Sequence, residues 1–242
     1  MKLVAVGQTD VGREREHNED AFLVDLEQGL FLVADGMGGH QAGEVASGIA
    51  RETVASVLRE NSAMPKLQAL DTAIREANAR VVQGGQQVRA RKGMGTTIVA
   101  IVHDADAVGI AHAGDSRCYR LRGGLLGRMT RDHSLVEELG GDDPAVHAAL
   151  ASYSNVITRA LGTAVDTVPE IRREPIEPGD VYLLCSDGLS GPVDDSSIAD
   201  ILKSEPNLEL ACEKLIAKAN DRGGPDNVSV VLVRFEADSP AA

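Results

Sequence analysis

The sequence has no tryptophan, three phenylalanines and three tyrosines among 242 residues, so aromatics make up 2% of the chain. A core without large rings is filled by Ala, Val, Leu and Ile, whose small, rigid side chains suit closely stacked sheets and helices. Cysteine is scarce as well. Cys118, Cys185 and Cys212 are odd in number, far apart and without C-x-x-C spacing, which excludes a disulfide scaffold and a thiolate zinc framework. Reduced thiols in a cytoplasmic protein are expected. Long apolar runs are missing too. Met1 and Lys2 precede only a short apolar stretch, residues 3–6, too short for a secretory leader, and nothing reaches the about 18 residues of a membrane span. Lysine and arginine number 24 against 37 acidic residues, a net charge of −13. Such a chain repels nucleic-acid phosphates and anionic lipid, so neither is an expected partner. It accepts an anionic substrate where bound cations invert the local field.

What is present is ordinary globular composition, 43% hydrophobic and 25% charged, which leads us to expect one domain over residues 1–236 with a frayed tail at 237–242. Short β-rich runs at 3–6, 21–24 and 30–33 predict strands. Residues 43–58 and 65–82 carry apolar residues at helical spacing, with Pro65 where a first turn tolerates it. Strands are expected again at 96–102, 107–113 and 118–121, and their short connections favour an antiparallel meander. Residues 134–158 are polar and weakly periodic around Gly140 and Gly141, as in a mobile insert. Strands near 168–172 and 181–185, helices near 196–202 and 208–219, and a strand at 228–235 complete the chain. Strands and helices fall in blocks, which argues for an α+β architecture of antiparallel sheets covered by helices.

Five aspartates recur at one kind of position, just past an apolar strand or beside a glycine turn: Asp20, Asp35, Asp115, Asp187 and Asp226. Glycine beside a carboxylate lets the backbone approach a ligand closely. Any single Asp-Gly pair reads most simply as a turn. Five carboxylates at the ends of apolar strands repel one another unless a cation binds them, and hard divalent ions want oxygen ligands of this kind. A metal-assisted hydrolase follows.

The same residues resemble a known family. The run from Gly12 through Arg15 to Glu19-Asp20, then Asp35-Gly36-Met37-Gly38-Gly39-His40, Gly95-Thr96-Thr97, Gly114-Asp115-Ser116-Arg117, Ser186-Asp187-Gly188 and Asp226-Asn227-Val228-Ser229 are similar, in order, to the motifs of the type 2C metal-dependent protein phosphatases, compact bacterial form. The resemblance implies a four-layer α-β-β-α sandwich and hydrolysis of phosphoserine and phosphothreonine by a hydroxide held between two Mn²⁺ or Mg²⁺ ions. Asp35 would bridge the ions. Gly36, through its carbonyl, and Glu19, through water, would complete one shell, and Asp187 and Asp226 the other, with Asp20 close by. Asp115 with Asp187 would hold a third, weaker ion. Arg15 would bind the phosphate with its planar guanidinium; its bland alternative is a surface pair with Glu14 or Glu16. His40 is read either as the proton donor to the leaving alkoxide or as a loop-positioning residue, since Met37 stands where larger relatives place a histidine. His112 reads as a core residue, and His17 and His133 carry no assigned chemistry. The insert at 134–158 would be the family's flap and would shape protein-substrate choice. Phosphorylated proteins, and a cognate Ser/Thr kinase with its substrates, are the implied partners of a monomer. Two alternatives stay open: a same-fold phosphatase dedicated to one regulatory partner such as an anti-sigma-factor antagonist, and a non-catalytic phosphoprotein-binding module. The second requires a lost ligand, and every matched position is intact.

Overall fold

The strands of this chain are apolar on both faces, and the computed structural model shows why. It describes residues 1–38, 42–140, 146, 149–153 and 155–237. Two antiparallel sheets stack face to face, and each has its outer face covered by helices. The first sheet has the order β1-β11-β10-β7-β8, built from β1 (Lys2–Asp10), β11 (Val228–Glu236), β10 (Val181–Cys185), β7 (Arg117–Arg122) and β8 (Leu125–Arg128). The second has the order β2-β3-β5-β6-β9: β2 (Asp20–Asp25), β3 (Leu30–Met37), β5 (Ile98–Asp104), β6 (Ala107–Ala113) and β9 (Glu170–Pro175), with the two-residue β4 (Gly95–Thr96) paired to the end of β3.

Alternation along each strand sorts the core into layers. In β3, Phe31 and Val33 face the opposing sheet, where they meet Tyr182 and Leu184 of β10 and Val231, Val233 and Phe235 of β11. Leu30, Leu32 and Ala34 face outward and pack against α1 (Ala42–Glu60) and α2 (Lys66–Gln87). The outward residues Leu183, Cys185, Val230 and Leu232 pack under α5 (Asp195–Ser204) and α6 (Leu208–Asp221). These are the four layers expected. The covering helices are alanine-rich where they touch: Ala46 and Ala50 of α1 and Ala69, Ala73 and Ala77 of α2 are fully or almost fully buried. Small side chains let two helices lie close to each other and to the sheet, which is how a core with so few rings reaches full packing. Asp194 and Asn207 cap α5 and α6 by accepting the N–H groups of Ser197 and Leu210.

The structure corrects four local expectations. The meander ends at β6: β5 and β6 pair, but β7 belongs to the other sheet. Residues 114–116 therefore carry the chain across the sandwich rather than around a hairpin, a switch that Gly114 permits with φ of 117°. The strand expected at 96–102 is broken at Thr97, whose side chain bonds to Asp35 and Ser116. Pro65 caps α2 instead of lying inside it. The segment 134–158 is not featureless. It contains α3 (Leu135–Gly140) and a 3-10 turn at Ala151–Tyr153, and its two ends are tied by Leu135 N–H to Val156 O and Thr158 N–H to His133 O, 2.9 and 2.8 Å. Strand β8, paired to β7 across Gly123 and Gly124, and the short α4 (Asp187–Ser190) were not foreseen. Cys118, Cys185 and Cys212 are free and buried, as expected. Among the described residues no helix is long and apolar enough to cross a membrane.

The layer between the sheets is the part of the core with the fewest substitutes for a lost side chain. Phe31→Ala is expected to lower stability by ~3–5 kcal/mol, seen as a lower urea midpoint at an unchanged slope.

Candidate metal centre and phosphate site

Strands from both sheets end or begin at one edge of the sandwich, and the candidate residues follow from that. Asp20 opens β2 directly opposite Asp35 near the end of β3. β10 ends at Cys185 and β11 begins at Val228, so Asp187 and Asp226 flank the same edge of the other sheet. Asp115 sits in the crossover between β6 and β7. The two sheets touch here through Ser186, whose hydroxyl donates to Asp20 Oδ2 at 2.8 Å while accepting the N–H of Ser229 at 2.9 Å.

The backbone around the cluster is fixed by uncharged side chains. Thr97 Oγ1 accepts the N–H of Asp35 at 3.0 Å, and the Thr96 hydroxyl donates to the Asp35 carbonyl at 2.9 Å. Asn227 accepts the N–H of Glu19 at 2.8 Å and donates to the carbonyls of Val11 and His17, both at 2.9 Å. Gly36 donates its N–H to the Glu19 carbonyl at 3.2 Å, and a Cβ there would lie 2.5 Å from that oxygen. Only glycine fits between Glu19 and Gly43. The N–H of Gly43, in the first turn of α1, bonds to the Glu19 carboxylate.

The electrostatics are those of crowded acids. Burial, then the charges of Asp20, Asp187 and Asp115, hold the Asp35 carboxyl well above the usual range. Burial raises Asp20 to about 7, offset in part by Ser229 and Ser186 and reinforced by Asp187 and Asp226. Burial and then Asp187 and Asp132 raise Asp115 to about 7. Glu19 is raised by burial, partly countered by Arg15. One carboxylate oxygen each of Asp20, Asp115 and Asp187 is buried with no hydrogen-bond partner. A buried polar atom left unpaired costs free energy, and these are all hard oxygen donors at one edge of the sandwich. The set fits divalent cations of the Mg²⁺ or Mn²⁺ kind.

Arg15 lies at the rim, half exposed, with Nη2 2.7 Å from Asp226 Oδ2. Its partner is thus a member of the acid cluster and neither Glu14 nor Glu16. The structure brings Arg15, Glu19, Asp20, Asp35, Gly36, Asp115, Asp187 and Asp226 to one edge. His40 lies outside the described residues.

A second cluster was missed by sequence reasoning. His112, buried as expected, stacks on His133 with ring centroids 4.5 Å apart and planes inclined by 3°. With Glu170 they form a group of metal-ligand side chains whose donor atoms all lie within 4.8 Å of one another, and among the described residues no three carboxylates close to that spacing. His133 Nδ1 accepts the N–H of Gly114 at 3.1 Å, and its Nε2 faces Glu170 at 3.7 Å. Burial lowers both histidines, His133 to about 4, so the rings are neutral, the form that ligates metals. Their in-plane lone pairs, however, lie in almost parallel planes, so a shared ion requires one ring to turn. No sequence signal links positions 112, 133 and 170; only the β6–β9 pairing and the fold-back of 131–133 bring them together.

An antiparallel sandwich with acids gathered where its two sheets end defines a metal-assisted hydrolase of phosphate esters. Comparison with known proteins agrees. The family profile described as protein phosphatase 2C matches residues 9–229. The serine/threonine phosphatase stp of Listeria welshimeri is 39% identical over 235 residues, 93% of each chain. The solved structure of the Mycobacterium tuberculosis serine/threonine phosphatase PstP/Ppp superposes with a TM-score of 0.90 at 36% identity, covering 97% of this chain and 99% of that one. The catalytic domain of PstP solved with two manganese ions superposes at 0.86 with 36% identity over 97% and 99%. The chain belongs to the protein phosphatase 2C family, in its compact bacterial form, and is a metal-dependent serine/threonine phosphatase.

The raised carboxyls set a pH dependence. Asp20 and Asp115 ionise near about 7 when folded and from 3.8 when unfolded, so between those values the fold holds protons that the unfolded chain has released. Their contribution is fullest below the unfolded value and is lost as pH rises through the folded one. In excess chelator the melting temperature is expected to fall between about pH 4 and about pH 7, and Asp20→Asn to flatten that slope. A flat profile in the wild-type protein would show the carboxyls to be unperturbed.

Proposed function

We propose that this chain hydrolyses phosphoserine and phosphothreonine in proteins at a two-cation centre held by Asp35, Gly36, Glu19, Asp187 and Asp226, with Asp20 beside it. The observation that carries the proposal is the convergence of Asp20, Asp35, Asp115, Asp187 and Asp226 at one edge, with one buried carboxylate oxygen each of Asp20, Asp115 and Asp187 left unpartnered. The two manganese ions in the relative of the same fold support the count. Bound there, Mn²⁺ or Mg²⁺ supplies Lewis acidity toward the phosphoryl group and a nucleophile drawn from water at neutral pH. Asp35, opposite Asp20 and beside Asp187, would be shared between the two positions. Asp115, facing Asp187 from the crossover, would share a third and weaker cation, having few protein donors to offer.

The chain's own groups bind and orient the ester. Arg15, half exposed and paired among the described residues with Asp226, can turn its guanidinium onto two phosphate oxygens at once. Thr97, Ser186 and Asn227 hold the ligand-bearing segments in place. The segment 134–158 acts as the flap. Its base is fixed to His133, which bonds to Gly114 next to Asp115, so substrates pressing on the flap bear on that crossover. Phosphorylated proteins of a bacterial kinase pathway in a reducing, cytoplasmic compartment are the substrates that this reading and the free cysteines support.

A metal-titrated assay on a phosphothreonine peptide, a phosphotyrosine peptide and a small aryl phosphate tests reaction, cofactor and residue class together. Turnover is expected to need added Mn²⁺ or Mg²⁺ and to vanish in EDTA, and Asp187→Ala to abolish it with the fold intact; full activity in excess EDTA would sink the mechanism. Arg15→Ala is expected to raise KM more than it lowers kcat, with a loss in kcat/KM of about 10–100-fold, the worth of a charged hydrogen bond. Unchanged kinetics would leave Arg15 as no more than the partner of Asp226.

A further inference from the structure

The chain carries a net charge of −13, yet Arg89, Arg91 and Lys92 fall within four residues of one another. They lie on and just after the 3-10 turn Arg89–Arg91 that follows α2. Arg89 and Lys92 are exposed and Arg91 is half-buried. Arginines elsewhere are mostly tied to carboxylates, such as Arg117 to Asp132 and Arg122 to Asp180. Among the described residues these three have neither an ion pair nor a side-chain hydrogen bond.

Their position is not remote from the chemistry. Arg91, Val88 and Ala90 form one wall of a groove of about 1010 Å³ whose other wall is Glu16, His17 and the start of α1. Glu16 and His17 directly follow Arg15. Arg89 and Lys92 face the other way, into a second cavity of about 680 Å³ bounded by Met94, Gly162 and Thr163. The basic turn is therefore a ridge between two grooves, and three residues beyond Lys92 the chain enters β4, which pairs with Gly36 and Met37 of the site. The groove beside Arg15 has an acidic rim at Glu16 and a basic rim at Arg91, so it imposes a direction on a charged chain. At physiological salt, attraction reaches about 8 Å, so an acidic segment repelled by the rest of this surface is drawn only where uncompensated cations stand.

We infer that the ridge Arg89–Lys92 is a substrate-selecting surface. Its ligand is the stretch of phosphoprotein substrate flanking the phosphorylated serine or threonine, where that stretch carries aspartate or glutamate. The extended segment passes from Arg15 along the groove walled by Glu16, His17 and Arg91, with its phosphate at Arg15 and its nearer carboxylate on Arg91, and crosses the ridge to set further carboxylates on Arg89 and Lys92. The inference rests on the phosphatase reading above and names the substrate class of that site.

The test compares wild type with the triple variant Arg89→Ala, Arg91→Ala, Lys92→Ala on a phosphothreonine peptide flanked by Asp and Glu, on one flanked by Gly and Ala, and on p-nitrophenyl phosphate. Exposed pairs are individually weak, so the three together are expected to raise KM for the acidic peptide about tenfold at an unchanged kcat. The neutral peptide and the aryl phosphate should be turned over as before. Changing all three residues to Glu should deepen the loss and shift preference to a Lys-flanked peptide. Equal effects on acidic and neutral peptides, or none, would overturn the inference. Fluorescence anisotropy of the labelled acidic peptide separates the two layers of argument. If wild type hydrolyses no ester, the phosphatase reading falls, while tighter binding of the acidic peptide to wild type than to the triple variant still decides for the ridge, and equal binding against it. A thermal melt of the variants excludes loss of fold.

Discussion

Asp20, Asp35, Asp115 and Asp187 are held against one another at one edge of the molecule, and their mutual repulsion is the constraint around which the rest is organised. Each carboxyl is displaced upward, first by burial and then by its acidic neighbours. Such a cluster persists only if the strands that carry it cannot move apart. The slab between the two sheets supplies that stiffness: Phe31, Val33, Tyr182, Leu184, Val231 and Phe235 are fully buried within it. Burial of such side chains contributes roughly 1.5–3 kcal/mol each, enough in sum to hold a small number of unfavourable charges in place.

Between slab and carboxylates lies a layer of hydroxyl and amide side chains whose work is positional. Ser186 follows a strand of one sheet and bonds to the residue that opens a strand of the other, so the spacing of Asp20 and Asp187 is set across the sandwich. Thr97 does the same between Asp35 and the crossover, through Ser116 at 2.7 Å. Asn227 joins Glu19 to the loop that carries Arg15. These residues are buried and neutral, so they fix the ligand-bearing backbone without adding charge to the site.

Charge elsewhere is handled by pairing. Asp180, 1% exposed, is met by Arg122, and Asp132 by Arg117, which offsets part of the negative field these acids would otherwise add. The stacked His112 and His133 stay neutral beside the crossover and donate no positive charge to it. Against that background, Arg89, Arg91 and Lys92 are a cluster of basic side chains without an ion pair among the described residues.

Much of this was legible in the sequence because it rests on local pattern. Apolar runs bounded by polar turns marked most of the strands, the helical spacing of alanines marked α1 and α2, and Asp-Gly pairs at strand ends marked the acids, since a carboxylate at the end of a buried strand needs a partner wherever the strand goes. The ordered motifs then placed Arg15, Glu19 and the five aspartates on one site. What the sequence could not decide was which sheet each strand joins. β7 looks like the next turn of a meander, and only the packing of two twisted sheets sends it across and so turns Asp115 toward Asp187. The same holds for Arg15, whose partner is Asp226 across more than two hundred residues and not the acids beside it, and for His112, His133 and Glu170. Contacts between residues far apart in the chain depend on how whole layers pack, and no short-range periodicity encodes that.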